Sequence, residues 1–340
     1  MVKGGGMSVL PSYFKEALKN IEPDDDKKNA AKAHNEVREV LLADSRLVDM
    51  GIDPILIGSY AREVSIKRVK DVDVFARLYE LDKDDSPGKI LDLFENILSD
   101  EDAFGEDRVE RQFRSIKVDF PEYDLTVDIV PAREYDDHWE IPNCEDNAER
   151  AQWVETNPLK LNQLTTEMNQ RYQISNEGIY VRIVKLVRQI RRAWLQDQPG
   201  GLYFELMTYW VFENGSPSGD YIAEYLAYVL DKIANMLPKL AEDGLEDPTL
   251  PGNIITTKAT PDDFKEAEKQ MKFAAALAKK ALKEEDDCKS AILWRELLGE
   301  TLDKPVFPLP SYCNKDGSHK NVSSITSGAT SVPAGGGRYA

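Results

Sequence analysis

Two aspartates one residue apart, Asp71 and Asp73, follow the small-residue pair Gly58-Ser59. A third acid, Asp128, sits inside the apolar run Leu125-Thr126-Val127-Asp128-Ile129-Val130. Carboxylates held together repel each other unless a cation lies between them. Magnesium suits such a set, because it is hard, prefers oxygen ligands and commonly also binds substrate phosphates. Two such ions can clamp the attacking and leaving oxygens of an in-line displacement. Gly58 carries no side chain, so backbone N–H groups there can approach an anion. Ser59 adds a hydroxyl, and Arg62, Lys67, Arg68 and Lys70 add positive charge. The combination predicts nucleotidyl transfer from nucleoside triphosphates. Asp71, Asp73 and Asp128 are its expected catalytic and metal-holding residues. Two magnesium ions are the expected cofactor, and manganese could replace them. Gly58 and Ser59 are expected against the donor phosphates.

Side chains alternate along a strand. In Lys70-Asp71-Val72-Asp73-Val74-Phe75 both acids therefore share one face, and Val72 and Val74 face a core. The same alternation sets Asp124, Thr126 and Asp128 against Leu125, Val127 and Ile129. Asp124 stands beside Pro121 and Glu122, where a turn is expected, so Asp128 is the better third ligand. Alternating acid and valine also suits a half-exposed surface strand, and Gly-Ser alone is ordinary turn material. The conjunction of all three features favours a catalytic site.

Apolar spacing predicts a helix over residues 27–47, then strands at 54–57, 71–78, 110–120 and 124–131. Asp85-Ser86-Pro87-Gly88 opens another helix, with proline suited to its first turn. From residue 156 helices dominate, at 178–197, 203–213, 219–240, 261–284 and 288–299. The expected fold is α+β and bilobal, with a small mixed sheet lobe, a helical lobe and the site in the cleft. Boundaries are expected at an N-terminal helical segment, 1–47, a catalytic lobe, 48–155, a helical lobe, 156–312, and a flexible tail, 313–340.

The segment from Gly58-Ser59 through Asp71-Val72-Asp73 resembles the DNA-polymerase-beta-like nucleotidyltransferase superfamily. Within it, Gly58-Ser59-Tyr60-Ala61-Arg62 with Asp71–Phe75 is similar to the bacterial cyclic-oligonucleotide synthases of the SMODS type. Those are relatives of oligoadenylate synthase and cyclic GMP-AMP synthase. Val127-Asp128-Ile129-Val130-Pro131-Ala132 is similar to that group's third-acid strand, and Trp153 with Thr156-Asn157-Pro158 follows its layout. In Ile183–Arg188 the position matching the phosphate-contacting lysine is Arg188, with Lys185 one turn earlier. In Leu202-Tyr203-Phe204-Glu205-Leu206 only Tyr203 carries over, as a base-stacking residue. The resemblance implies a cyclic di- or trinucleotide second messenger made in anti-phage signalling, and a downstream effector reached through that product. It also implies a flexible tail whose terminal carboxylate, at Ala340, is conjugated by an E1/E2-like partner.

The chain has 340 residues, 41% of them hydrophobic, and a formal net charge of −18. Long nucleic acid is held mainly by cationic neutralisation of phosphates, so a general duplex-binding surface is not expected. Cys144, Cys288 and Cys313 are far apart and odd in number, which suggests neither a disulfide framework nor a zinc cluster. His34, His138 and His319 are equally scattered and give a histidine-based metal site little support. No apolar run is long enough to span a bilayer, and Met1–Gly6 lacks the apolar core of a signal peptide. Met7 is either an internal start or follows an added leader. A cytoplasmic protein is expected. Two other readings stand beside the synthase: a nucleotidyltransferase acting on an RNA end or small molecule, and an inactive scaffold of the same fold.

Overall fold

The computed structural model describes residues 9–82, 84–144, 152–195, 198–302 and 304–320. Met1–Gly6 and the tail end with Ala340 lie outside these. The first two helices serve different cores. In α1 (Pro11–Ile21) Phe14 is fully buried against Trp294 and Phe307, with ring centroids 4.9 and 5.1 Å away. Burying one such ring stabilises by roughly 1.5–3 kcal/mol. In α2 (Asp24–Ala43) Ala30, Ala33, Val37 and Leu41 instead cover the sheet. The helix predicted over 27–47 breaks at Asp44. Its carboxylate accepts hydrogen bonds from the backbone N–H groups of Arg46 (2.9 Å) and Leu47 (3.3 Å) and so starts α3 (Ser45–Asp49).

The sheet lobe then runs β1 (Ile52–Ile57), α4 (Gly58–Ala61), β2 (Asp71–Leu78), α5 (Pro87–Leu98), β3 (Val109–Arg111), β4 (Ile116–Phe120), β5 (Leu125–Tyr135), β6 (His138–Asn143) and β7 (Gln152–Thr156). Its seven strands follow the order β1-β2-β5-β4-β3, with β6 joined to β5 and β7 to β6. Among the described residues only β2 and β5 pair in parallel; the other pairs in this sheet are antiparallel. The run 110–120, expected as one strand, is a hairpin. Gln112 N–H donates to Ser115 O at 2.9 Å, and Ser115 Oγ donates to Gln112 Oε1 at 2.8 Å, which turns the chain between β3 and β4. Val72, Val74, Val127 and Ile129 are fully buried under α2 and α5 with Leu91 and Phe94. The acidic residues therefore take the opposite face.

The helical lobe comprises α6 (Pro158–Arg171), a two-residue hairpin of β8 (Gln173–Ile174) and β9 (Glu177–Gly178), then α7 (Tyr180–Trp194), α8 (Gly201–Gly215), α9 (Ile222–Asp243), α10 (Pro261–Lys283) and α11 (Asp287–Leu298). Their shared core includes Ile183, Val187, Phe204, Met207, Val229, Ile233, Met271 and Trp294, with α1 packed into it. The fold is thus α+β and bilobal, as expected. No helix among the described residues is long and apolar enough to cross a membrane.

The cysteine pattern misled. Cys288 and Cys313 form a disulfide across 25 residues of sequence. Cys288 sits in the first turn of α11 and the rest of that helix intervenes, so spacing alone could not show that the chain doubles back. Residues 313–320, grouped with a flexible tail on composition, fold against α11. Cys313 bridges to His319, and Lys320 N–H donates to Tyr312 O at 2.8 Å.

Candidate active site

Parallel pairing of β2 with β5 sets Asp73 opposite Asp128 and Asp71 opposite Thr126. Register partners on adjacent strands share a face and lie about 4.8 Å apart in the backbone. Asp73 and Asp128 are therefore neighbours on the polar face, with Asp71 exposed two residues earlier. Asp124 stays out of this row, because it occupies the left-handed turn before β5, with φ 51°. Burial, then the charges of Asp71 and Asp128, push the Asp73 carboxyl up to about 7, with Arg62 opposing. Burial, then Asp71, push Asp128 up to about 6, with Lys117 opposing from the register position across β4. One Asp128 oxygen, Oδ1, is buried without a hydrogen-bond partner. Crowded, proton-hungry carboxylates and an orphaned acceptor make a donor set that fits a hard divalent cation.

Gly58 completes this arrangement in a way the sequence did not suggest. It follows β1 with φ +73°, and a Cβ at that position would lie 1.9 Å from Asp73 Oδ2. The close approach that glycine permits is thus to the Asp73 carboxylate. The Ser59 hydroxyl lies 3.1 Å from that of Ser65.

Arg62, one turn past Gly58, reaches into the helical lobe. Its Nε and Nη2 donate to the two Glu205 carboxylate oxygens at 2.7 and 3.2 Å, and both side chains are buried. Arg188 Nη1 joins the same carboxylate at 3.4 Å. The Arg188 Nε is buried without a partner. Burial lowers the Arg188 pKa, while Glu205 and Asp71 both oppose that shift. Of the two basic candidates, Arg188 therefore belongs with the acids. Lys185 does not: its ammonium is buried against Glu22, 2.5 Å away at the end of α1. Helical periodicity puts Lys185 and Arg188 one turn apart, but only the packing of α1 decides that the lysine is occupied. Tyr203 is also redirected. The residue is 3% exposed and its ring packs edge-on to Phe264 at 5.6 Å, so it is not offered to a base. Its hydroxyl is buried without a partner, and burial pushes that group up to about 12.

Sequence reading missed Glu205 and Lys117. A lone acid inside Tyr203-Phe204-Glu205-Leu206-Met207 was the available signal for the first. Alternation in Ile116-Lys117-Val118-Asp119 was the signal for the second.

Residues 7–169 match the family model described as a Second Messenger Oligonucleotide or Dinucleotide Synthetase domain. The chain is 28% identical over 326 residues to a cyclic AMP-AMP-AMP synthase of an Acinetobacter species, covering 92% of this chain and 87% of that one. Among solved structures it is similar to CdnC of E. coli MS115-1 with ATP, at TM-score 0.65 and 18% identity, covering 90% of this chain and all (100%) of that one. It is also similar to the Bradyrhizobium diazoefficiens CD-NTase CdnG in complex with GTP, at TM-score 0.64 and 16% identity, covering 84% of this chain and 96% of that one. Those two likenesses show the fold. Together with the synthetase domain and the curated relative, they support a bacterial cyclic-oligonucleotide synthase of the DNA-polymerase-beta-like nucleotidyltransferase superfamily.

Proposed function

We propose that this nucleotidyltransferase joins nucleoside triphosphates into a cyclic di- or trinucleotide with magnesium held by Asp71, Asp73 and Asp128. The observation that carries the reading is the register of β2 against β5, which pairs Asp73 with Asp128 and leaves a buried Asp128 oxygen unpartnered. Bound there, magnesium would polarise the donor α-phosphate and lower the pKa of the attacking ribose hydroxyl. The protein's own part is to hold Asp73 and Asp128 buried and close together, so that a bound cation favours the loss of their protons. Gly58 keeps the Asp73 carboxylate seated, and Ser59 and Arg188 orient the donor phosphates. The Arg62–Glu205 pair fixes the sheet lobe against α8, so the acids and Arg188 keep their relative positions. A ribose oxygen then attacks the α-phosphorus in line, and pyrophosphate leaves.

Ring closure rests on the relatives, because the acids account for nucleotidyl transfer alone. The name of the Acinetobacter relative favours a product of three adenine nucleotides. Purified protein with mixed triphosphates and magnesium should yield a phosphatase-resistant product of defined mass. Asp71→Ala with Asp73→Ala should fold and yield none, and full activity in that double variant would remove the acids from the mechanism. The anti-phage role and the downstream effector rest on family resemblance. So does conjugation of Ala340 by an E1/E2-like partner. Deleting the last few residues should abolish covalent adducts in cells holding such a partner, and persistent adducts would discard that role.

A further inference from the structure

The disulfide lies in a cluster that the synthase chemistry does not use. Asp286, Cys288 and His319 each offer a donor atom, and those atoms lie within 4.8 Å of one another. Cys313 is not one of that trio, but its sulfur is bonded to the Cys288 sulfur and so stands beside it. Two sulfurs, an imidazole and a carboxylate are a donor set that selects zinc. We infer that the reduced chain binds one zinc ion through Cys288, Cys313, His319 and Asp286, and that the disulfide is the oxidised, metal-free form of this site.

The geometry is close to what zinc needs. His319 Nε2 and Asp286 Oδ2 are 3.1 Å apart. Two ligands of one tetrahedral ion with bonds of about 2.0 Å stand about 3.3 Å apart. Two thiolates with bonds of about 2.3 Å stand about 3.8 Å apart, a separation the two cysteines reach once their bond opens. The surroundings hold the donors in place. Asp286 caps α11 with Oδ1, accepting from the N–H groups of Cys288 (2.9 Å) and Lys289 (3.0 Å), which leaves Oδ2 for the cluster. Tyr312 stacks on the His319 ring at 5.9 Å and donates its hydroxyl to Asp287 at 3.1 Å. Cys288 and Cys313 are buried while His319 is exposed, so one side of the site is open to metal and reductant.

The chemistry balances in both directions. A dithiol reductant opens the Cys288–Cys313 bond by exchange, giving two thiols and its own disulfide. Zinc then binds the two thiolates as two protons leave. Hydrogen peroxide takes two electrons from the two thiolates and two protons from solvent and becomes two waters, the sulfur–sulfur bond reforms, and zinc departs. The metal would fasten residues 312–319 to α11.

The test uses the full chain, reduced with a phosphine without oxygen and stripped of metal. It is titrated with zinc against a chromogenic chelator and, separately, with cobalt(II). The expected result is one zinc per chain, a thiolate-to-cobalt charge-transfer band, and loss of both on peroxide treatment. Cys144→Ser should keep the site, and Cys288→Ser or Cys313→Ser should remove it. His319→Ala changes an exposed side chain, so the fold should survive. It should weaken zinc by at least the roughly tenfold that loss of an outer-shell partner causes. No zinc uptake by the reduced chain, cobalt binding without the thiolate band, or unchanged affinity in His319→Ala would each overturn the inference.

Discussion

Replacing Asp73 by asparagine should abolish synthesis and yet stabilise the metal-free fold at alkaline pH. In the folded chain the Asp73 carboxyl is raised from 3.8 to about 7, chiefly by burial and then by Asp71 and Asp128. The folded state therefore binds this proton more tightly than the unfolded state does. Its stabilising contribution is complete below pH 3.8 and is lost as pH rises to about 7. At about 1.36 kcal/mol per unit, the total loss is about 4 kcal/mol. Roughly half of that falls between about pH 5.5 and pH 8, where unfolding is readily followed. Asparagine keeps the shape and never ionises, so it escapes the loss. Urea unfolding with a chelator present should show the gap between Asp73→Asn and the parent widening by about 2 kcal/mol over that window. Magnesium should narrow the gap by stabilising only the parent. A pH-independent gap, or a variant less stable than the parent at pH 8, would refute the account of Asp73 as a strained, metal-awaiting acid.

Gly58→Ala should lose about 100-fold or more in pyrophosphate release, because the new Cβ displaces the Asp73 carboxylate. The left-handed backbone should add about 1–2 kcal/mol of destabilisation, and a rate within about threefold of the parent would show that the close approach is dispensable. Tyr203→Phe removes a buried, unpartnered hydroxyl, so the chain should gain about 1 kcal/mol in stability. Its KM for triphosphate should stay unchanged, and a raised KM would return Tyr203 to the substrate.

Local rules made much of this protein legible. Period-2 alternation put Asp71 and Asp73 on one face and their valines on the other, because a pleated strand allows nothing else. Helical periodicity located the later helices to within a few residues. Net charge followed from composition alone. Tertiary structure decided everything that depends on which elements meet. The parallel register of β2 and β5 made neighbours of Asp73 and Asp128, which are 55 residues apart in sequence. Docking of α1 occupied Lys185 with Glu22, and packing of α8 on α10 hid Tyr203 behind Phe264. The return of the chain over α11 joined Cys288 to Cys313 and brought His319 to Asp286. Spacing encodes which way a side chain points from its own element. Only the long-range packing of apolar faces, which is non-directional and shared by many residues, determines what it finds there.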